Sequence, residues 1–415
     1  MYLGLDFGTT GVRACVLDTD DAIVHQDKVN FPDIQAQNPL DWREALHTLL
    51  HRLPGPLASQ LQGIAIDATS ATVLLCNERL EPVSQALLYS DQRAHAEAGE
   101  LASIAPPGHC VCSATSGLAK FLWLTRHPAI PDAAYFLHQA DWLAALLTGQ
   151  GGISDYHNAL KTGYDAENLC WPDWVQALPH FHLLPQVVAP GTAIAKIHPE
   201  IARHLHLNRD CFVHAGTTDS VAAFIAAEVH EPGEAVTSLG TTMVLKLLSE
   251  KRVESAQYGI YSHRYGKLWL AGGASNAGGS TLRHYFDDAR LAELSWHIDP
   301  NSDSPLDYYP LLQPGERFPV NDPNLIPRLE PRPADDVQFL HGLLQGLGRI
   351  EADGYAKLVE HGASPLRAIV TAGGGAKNPV WMKIRSRLTG VPISVATHTE
   401  AAYGAALLAR NGHLN

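Results

Sequence analysis

Two glycine-threonine turns, each between apolar segments, restrict most strongly how this chain can fold. Alternating apolar residues predict a strand at 2–6, a turn at 7–11 and a second strand at 12–17. The pattern Gly-Thr-Thr-X-Val begins at Gly8 and again at Gly240, each time between two apolar segments. A repeated strand-turn-strand unit favours a chain built from two related halves.

The rest of the sequence predicts an α/β protein. Apolar runs rich in Val, Ile and Ala predict further strands at 63–67, 72–76, 211–215, 235–247 and 367–372. Periodic apolar positions after polar starts predict helices at 41–51, 141–147, 219–228, 337–362 and 379–388. Residues 303–336 contain eight prolines and are predicted to form an irregular surface excursion. Strands that alternate with helices indicate the α/β class.

Charge and composition exclude several classes of function. The chain has 43 acidic and 30 basic residues and a net charge of −13, so we expect no binding to nucleic acid or to an anionic membrane. No signal segment or long apolar run is present, which predicts neither export nor membrane insertion. Six cysteines without metal or disulfide spacing indicate free thiols in the cytoplasm.

The two turns are suited to bind phosphate. Each offers backbone N–H groups and two hydroxyls, and two turns facing each other would hold one polyphosphate. Asp6 ends the first strand just before the turn, where a carboxylate predicts a Mg²⁺ ion bridged to phosphate through water. The alternatives are that each turn is ordinary hairpin chemistry and that Asp6 hydrogen-bonds its own turn.

Asp219 is the candidate general base. It follows a third Gly-Thr-Thr, at 216–218, and precedes an apolar helix, where an aspartate commonly acts as the N-cap. A carboxylate at such a position stays ionised and can point into a cleft. Asp219 is then able to accept the proton of a substrate hydroxyl that attacks a γ-phosphoryl group.

Two glycine clusters, at 272–279 and 372–378, indicate a place for a nucleotide. The second cluster follows a strand and opens a helix at Pro379, so its backbone can approach a base or ribose closely. The alternative for either cluster is a tight turn. Neither has the GxGxxG spacing, and the chain contains no GxxxxGK[ST], so the fingerprints of dinucleotide-binding dehydrogenases and P-loop NTPases are absent from the sequence.

Taken in order, these motifs resemble the FGGY carbohydrate kinases of the actin-like ATPase superfamily. The segments that carry the likeness are Asp6–Thr10, Ser90–Arg93, Asp141–Leu143, Leu147–Gly149, Asp219, Gly240–Thr242, Gly315–Pro319, Gly373–Asn378 and Glu400–Ala406. Each motif is weak alone, but the ordered series spans nearly the whole chain.

The resemblance implies two actin-like (ribonuclease H-like) domains with a central cleft in which sugar and ATP meet. It places the sugar-binding domain at 1–226 together with a C-terminal helix at 400–415, and the nucleotide-binding domain at 227–399. The activity it implies is ATP- and Mg²⁺-dependent phosphorylation of a small sugar in the cytoplasm. The oligomeric state stays open.

The same resemblance assigns roles to single residues. Asp219 would be the catalytic base, and Asp6 would hold Mg²⁺ through water. The predicted substrate-binding residues are Asp6, Thr10, Gly11, Arg13, Ser70 and Asp219. The predicted nucleotide-binding residues are Thr9, Thr10, Gly240, Thr241, Thr242, Gly278, Gly374, Gly375, Ala376, Lys377 and Asn378.

The segment Asp67–Thr72 bears on the sugar. The family's D-xylulose kinases tend to carry a Met-His pair there, and Ser70 falls near the histidine position. With the short chain, this segment is most similar to the compact ketopentose kinases of cyanobacterial and plant type, which predicts conversion of D-ribulose to D-ribulose 5-phosphate. The alternatives are D-xylulose or another small polyol and, in a different class, a nucleotide-switched binding protein on an actin-like scaffold.

Overall fold

A computed structural model of the protein describes residues 1–33, 37–126 and 130–412. The chain divides into a first unit, Met1–Ala226 with Glu400–Asn415, and a second unit, Ala227–Thr399. The last three residues of the predicted C-terminal segment, 413–415, lie outside the described residues.

The first unit is built around a mixed sheet. Its strands are β1 (Tyr2–Phe7), β2 (Gly11–Leu17), β3 (Ile23–Asn30), β4 (Gly63–Ala68), β5 (Val73–Cys76), β6 (Tyr135–His138), β7 (Ile153–Asp155), β8 (Gln186–Val188), β9 (Ala193–Lys196), β10 (Phe212–His214) and β11 (Thr217–Thr218). Its helices before residue 227 are α1 (Pro39–Arg52), α2 (Gly55–Ala58), α3 (His95–Ile104), α4 (Gly117–Thr125), α5 (Gln139–Thr148), α6 (Tyr156–Ala159), α7 (Asp173–Gln176), α8 (Pro199–His204) and α9 (Asp219–Ala226). The main sheet runs β3-β2-β1-β4-β10-β9, and β11 also pairs with β4.

The second unit has its own sheet, in the order β14-β15-β13-β12-β16-β17. Its strands are β12 (Glu234–Leu239), β13 (Met243–Ser249), β14 (Tyr261–Tyr265), β15 (Leu268–Ser275), β16 (Ala368–Ala372) and β17 (Ile393–Val395). Its helices are α10 (Gly279–Tyr285), α11 (Asp288–Ser295), α12 (Asp336–Glu360) and α13 (Pro379–Thr389). The last helix, α14 (Ala401–Asn411), returns to the first unit.

The two sheets share one strand pattern. In the first unit β3, β2 and β1 are antiparallel neighbours, followed by the parallel strands β4 and β10. In the second unit β15, β13 and β12 are antiparallel, followed by the parallel strands β16 and β17. The two Gly-Thr-Thr turns connect equivalent strand pairs, β1–β2 and β12–β13. The predicted α/β fold with two related halves is confirmed.

Glycines allow α14 to lie directly on β1 and α9. A Cβ atom at Gly4 of β1 would lie 2.0 Å from the carbonyl oxygen of Ala402, and one at Gly404 of α14 would lie 1.9 Å from that of Ala222. Real Cβ atoms do not approach backbone atoms this closely, so both positions require glycine. Because α9 begins at Asp219, this packing also fixes the helix that carries the candidate base.

The proline-rich segment at 303–336 is irregular in backbone but is not confined to the surface. Tyr308, Leu311 and Phe318 are buried in the hydrophobic core of the second unit. The prediction of a surface excursion is therefore wrong for these residues, because the apolar side chains between the prolines pack inward.

The six cysteines are free thiols in the structure. Among the residues described, no helix is both long enough and apolar enough to cross a membrane.

A charged network lies in the core of the second unit. Arg385 of α13 and Glu351 of α12 are both fully buried, and two guanidinium nitrogens of Arg385 donate to the carboxylate at 2.6 Å. Thr371 accepts a further bond from Arg385 at 3.0 Å, and the hydroxyl of Thr237 donates to Glu351 at 2.5 Å. The network joins α12 and α13 to strands β12 and β16.

Removing one partner of this ion pair should destabilise the second unit strongly. Arg385→Met leaves Glu351 as a buried charge without its counter-ion, so the free energy of unfolding should fall by about 3–5 kcal/mol in urea titrations. Lys383→Met, an exposed position on the same helix, should change it little. The double variant Arg385→Met, Glu351→Leu should recover much of the loss. Equal midpoints for Arg385→Met and Lys383→Met would contradict this account.

Candidate active site

Three carboxylates meet at one edge of the sheet in the first unit. Strands β1 and β4 are parallel, and their register pairs Asp6 with Asp67. Thr217 of β11 pairs with Asp67 from the other side, and Asp219 follows two residues later as the first residue of α9. Parallel strands thus bring residues that are distant in sequence to the same edge.

Asp6 is buried and paired with a half-exposed arginine. Its side chain accepts a hydrogen bond from Nη1 of Arg13 at 3.1 Å, and Arg13 lies directly opposite on β2. Nε of Arg13 also lies 3.4 Å from the carboxylate of Glu400. Burial raises the pKa of Asp6, and the neighbouring Asp67 and Arg13 oppose that rise. Arg13, which the sequence predicts as a substrate-binding residue, therefore contacts the carboxylate of Asp6 in the structure.

Asp67 was missed among the predicted site residues. It is fully buried, and within the described ranges neither of its carboxyl oxygens receives a hydrogen bond. Burial, followed by the charges of Asp6 and Asp219, raises its pKa well above the ordinary range. Asp67 therefore loses its proton at a higher pH than an exposed aspartic acid does.

Asp219 lies in the first turn of α9. Its Oδ1 accepts a hydrogen bond from the backbone N–H of Ser220 at 2.6 Å. The helix begins at Asp219 itself, one residue earlier than an N-cap role predicts. Asp219 also interacts electrostatically with the buried carboxyl of Asp67, because its charge contributes to the raised pKa of Asp67.

The first Gly-Thr-Thr turn presents its threonines to solvent. The N–H of Gly8 donates to the carbonyl of Gly11 at 3.0 Å, and this bond closes the turn with Thr9 and Thr10 exposed. Gly11 is buried against β3, where a Cβ atom would lie 2.3 Å from the carbonyl oxygen of Val29. Packing thus explains the glycine at position 11, and its role toward substrate stays a prediction.

The turn between β4 and β5 carries Ser70, which is partly exposed. The hydroxyls of Thr69 and Thr72 are 2.6 Å apart on either side of it. The hydroxyl of Thr69 also donates to the side chain of Gln139 at 3.2 Å, while the backbone N–H of Gln139 donates to the backbone carbonyl of Thr72 at 2.9 Å. Ser70 therefore sits on a turn that is anchored by buried polar contacts close to Asp67.

The acidic edge fits a divalent cation. Arg13 contacts Asp6, while Asp67 offers two buried oxygens that receive no hydrogen bond within the described ranges. Across residues 1–33, 37–126 and 130–412 no group of three or more His, Cys, Asp or Glu side chains could enclose a metal. Mg²⁺ commonly uses one or two carboxylates and takes its other oxygens from phosphate and water. The residues present fit that mode of binding.

The second unit contains a cavity of about 370 Å³, within the size range of small-molecule sites. Its lining comes from the end of β12 and the turn after it, from α10 and α11, and from the first turn of α13 with the loop before it. The lining residues are Leu239, Gly240, Gly279, Leu282, Arg283, Asp288, Leu291, Ala292, Ser295, Trp296, Gly374, Gly375, Lys377, Asn378, Pro379, Val380 and Trp381.

Some predicted nucleotide-binding residues line this cavity and others do not. Those that do are Gly240, Gly374, Gly375, Lys377 and Asn378. The other predicted positions in this unit, Thr241, Thr242, Gly278 and Ala376, are not among the lining residues, and the side chain of Ala376 is buried.

Close packing against the second Gly-Thr-Thr turn explains why position 278 is a glycine. A Cβ atom there would lie 2.6 Å from the carbonyl oxygen of Thr241. The N–H of Gly279 donates to the carbonyl of Gly240 at 2.9 Å, and the N–H of Ser280 donates to that of Thr241 at 3.2 Å. These contacts hold the second Gly-Thr-Thr turn against the start of α10.

Asn378 shapes the cavity through its side chain. Its Oδ1 accepts bonds from the backbone N–H groups of Val380 at 3.1 Å and Trp381 at 3.0 Å, which caps α13. Its Nδ2 donates to the hydroxyl of Ser295 on α11 at 2.8 Å. One asparagine thus joins two walls of the cavity.

The cavity residues on α10 and α11 were missed from the sequence. Leu291 and Ser295 lie one helical turn apart, and Trp296, which is 74% exposed, follows at the end of α11. Arg283 of α10 lies over Gly374 on the opposite wall. The only signal in the sequence was their position after the first glycine cluster, because periodicity does not reveal which loop a helix face meets.

Comparison with known proteins identifies the family. Residues 1–226 match the model of the N-terminal domain of the FGGY family of carbohydrate kinases, and residues 235–411 match that of its C-terminal domain. The chain therefore belongs to the FGGY family of carbohydrate kinases and is a kinase by class. This assignment disfavours the alternative of a nucleotide-switched binding protein.

Individual relatives are similar over nearly the whole chain. A xylulose kinase from Staphylococcus epidermidis is 24% identical over 441 residues, covering 99% of this chain and 88% of the relative. A xylulose kinase from Streptomyces coelicolor is 27% identical over 440 residues, covering 98% and 86%. The crystal structure of a xyloylose kinase from Brucella ovis has a TM-score of 0.84 at 24% identity, covering 98% of this chain and 89% of that one. This structural likeness shows a shared fold.

Proposed function

We propose that the protein transfers the γ-phosphoryl group of ATP to a terminal hydroxyl of a ketopentose, with Asp219 as the general base. The observation that carries this proposal is the convergence of Asp6, Asp67 and Asp219 at one sheet edge in a chain of the carbohydrate kinase family. Asp219 takes the proton of the attacking hydroxyl, which raises the nucleophilicity of that oxygen. The oxygen of the sugar then attacks phosphorus in line with the leaving ADP oxygen.

Asp6 and Asp67 together provide carboxyl oxygens near which a cation can bind. Asp6, with Asp67 behind it and Arg13 fixing one of its oxygens, would hold Mg²⁺ through water. When bound, Mg²⁺ neutralises charge on the phosphate oxygens. Asp67 lies beside Asp6 in the register of β1 and β4, so its two buried oxygens add to the oxygen atoms at this edge.

The cavity of the second unit is proposed to bind the nucleoside of ATP. Gly374 and Gly375 line this cavity, and α13 begins at Pro379, shortly after that loop, with its positive dipole end there. Trp296 offers an exposed aromatic face for stacking on the base. Lys377 and Arg283 supply positive charge on the lining.

D-Ribulose is the sugar that we propose first. Ser70 stands in the turn near Asp67, and its short hydroxyl side chain leaves space that a larger residue would fill. D-Xylulose is the second candidate, because the relatives named above are xylulose kinases. The two sugars differ only in the configuration at one carbon, so the selectivity depends on how that turn is held. A cytoplasmic location remains a prediction of the sequence.

An assay that couples ADP release to a readable signal tests the proposal. D-Ribulose, D-xylulose, L-ribulose, L-xylulose, glycerol and erythritol should be compared by kcat/KM, with a sugar-free reaction subtracted as the background ATPase. We expect D-ribulose to rank first. A first rank for D-xylulose would support the second candidate, and ADP release that no sugar or polyol increases would refute sugar phosphorylation.

A further inference from the structure

Lys120 of α4 is a fully buried lysine in the first unit. Lysine is rarely buried unless its charge is paired. Its Nζ donates to three backbone carbonyl oxygens, those of Ala71 at 2.8 Å, Leu88 at 2.7 Å and Tyr89 at 3.4 Å. Within the part of the chain that the structure describes, no carboxylate forms an ion pair with this ammonium group. All three of its N–H bonds are therefore directed at the main chain.

The three carbonyls belong to two separate segments. Ala71 lies in the turn between β4 and β5, directly after Ser70, whereas Leu88 and Tyr89 lie in the segment that leads to α3. The N–H of Tyr89 donates back to the hydroxyl of Thr72 at 3.0 Å. We call residues 68–72 the Ser70 turn. The hydrogen bonds of Lys120, together with the bond between Tyr89 and Thr72, hold this turn against the segment 87–89.

The Ser70 turn contains a residue with an unfavourable backbone conformation. Ala71 has a φ of 60°, in the left-handed region that side-chain-bearing residues rarely adopt. Its carbonyl oxygen is one of the acceptors of Lys120, so the ammonium group stabilises the strained residue directly. The pKa of Lys120 is lowered to about 7, mainly by burial; Asp91 opposes this shift and Lys161 adds to it.

We propose that Lys120 is a positioning residue for sugar selection: by bracing the Ser70 turn beside Asp67, it sets the shape of the site that distinguishes one ketopentose from another. Lys120 itself contacts no substrate and acts through the carbonyl of Ala71. The proposal rests on the proposed function, because it requires the sugar to bind at the carboxylate edge of the first unit.

The test compares Lys120→Met with wild-type protein. Methionine fills a similar volume but donates no hydrogen bond, so the turn loses its brace while the core stays filled. We expect KM for D-ribulose to rise roughly ten- to hundredfold, and the ratio of kcat/KM for D-ribulose to that for D-xylulose to move toward one. The KM for ATP should change less than about twofold, since the nucleotide cavity lies in the second unit.

Two further variants complete the design. Lys196→Met, an exposed position on β9, makes the same chemical change and should leave the KM for sugar and the selectivity ratio unchanged. Thr72→Val removes the acceptor of the Tyr89 N–H without touching a charge, and it should shift both quantities in the same direction as Lys120→Met. Thr72→Val decides the matter if Lys120→Met does not fold.

The outcomes separate this inference from the function on which it rests. Wild-type protein that no sugar stimulates would refute the proposed function itself. Active wild-type protein, with a folded Lys120→Met or Thr72→Val variant whose selectivity ratio stays within about twofold of it, would overturn the role of Lys120 alone. A selectivity ratio that moves toward one in these variants, while the KM for ATP stays unchanged, would support the role of Lys120.

Discussion

Asp219→Asn should lose phosphoryl transfer by a factor of about 10²–10⁴, the usual contribution of a positioned general base. Asparagine keeps the size of the side chain, and its Oδ1 can still accept the hydrogen bond from Ser220. What it cannot do is take a proton from the sugar hydroxyl. The loss should appear in kcat, measured as sugar-dependent ADP release, while the affinity for ADP measured by calorimetry should stay within about twofold.

The control for Asp219→Asn is Asp210→Asn in the same unit. Asp210 is exposed and pairs with Lys196, so its replacement removes one negative charge far from the carboxylate edge. It should retain wild-type turnover. If Asp219→Asn turned over at a rate close to that of Asp210→Asn, Asp219 would not be the base.

Gly404→Ala is the second substitution from which we expect a large effect. The added Cβ atom would lie 1.9 Å from the carbonyl oxygen of Ala222 and 3.0 Å from the backbone nitrogen of Ala226. Both atoms belong to the main chain of α9, so α9 and α14 must move apart. We expect the free energy of unfolding to fall by about 3 kcal/mol, at the upper end of the range for overpacked sites. Displacing α9 also displaces Asp219, so the turnover of the folded fraction should decrease.

Gly99→Ala is the matched control for this prediction. Gly99 lies in α3, where an added Cβ atom would meet no heavy atom within 4 Å. Alanine favours a helix over glycine by roughly 0.5–1 kcal/mol, so this variant should be as stable as wild type or slightly more stable. Thermal unfolding measured by circular dichroism compares the two variants. Similar melting temperatures would show that the contact between α9 and α14 is less tight than the structure indicates.

Local signals explain why so much of the fold could be predicted from the sequence. The turn at Gly8 and its copy at Gly240 need glycine and short polar residues between apolar strands, and such chemistry is visible in a few adjacent positions. The helices beginning at Pro379 and near Asp336 carry start signals and a regular apolar period. Asp219 could be singled out because a Gly-Thr-Thr segment and an apolar helix flank it.

Residues that depend on strand register or on packing could not be predicted. Asp67 joins the site because β1 and β4 are parallel neighbours in a register that pairs it with Asp6, and the sequence does not give that pairing. Lys120 looks like an ordinary lysine in the sequence, although the fold buries it under two loops. Trp296 and Arg283 reach the cavity because α10 and α11 pack beside the loop before α13.

The central claim is that the carboxylate edge of the first unit directs the γ-phosphoryl group of ATP onto a sugar hydroxyl. Phosphorus-31 NMR of wild-type protein with ATP, Mg²⁺ and D-ribulose follows every phosphorus species in one sample. The account predicts that a phosphate monoester of the sugar accumulates in step with ADP. Accumulation of inorganic phosphate in its place, or ATP that stays intact with each ketopentose supplied, would contradict it.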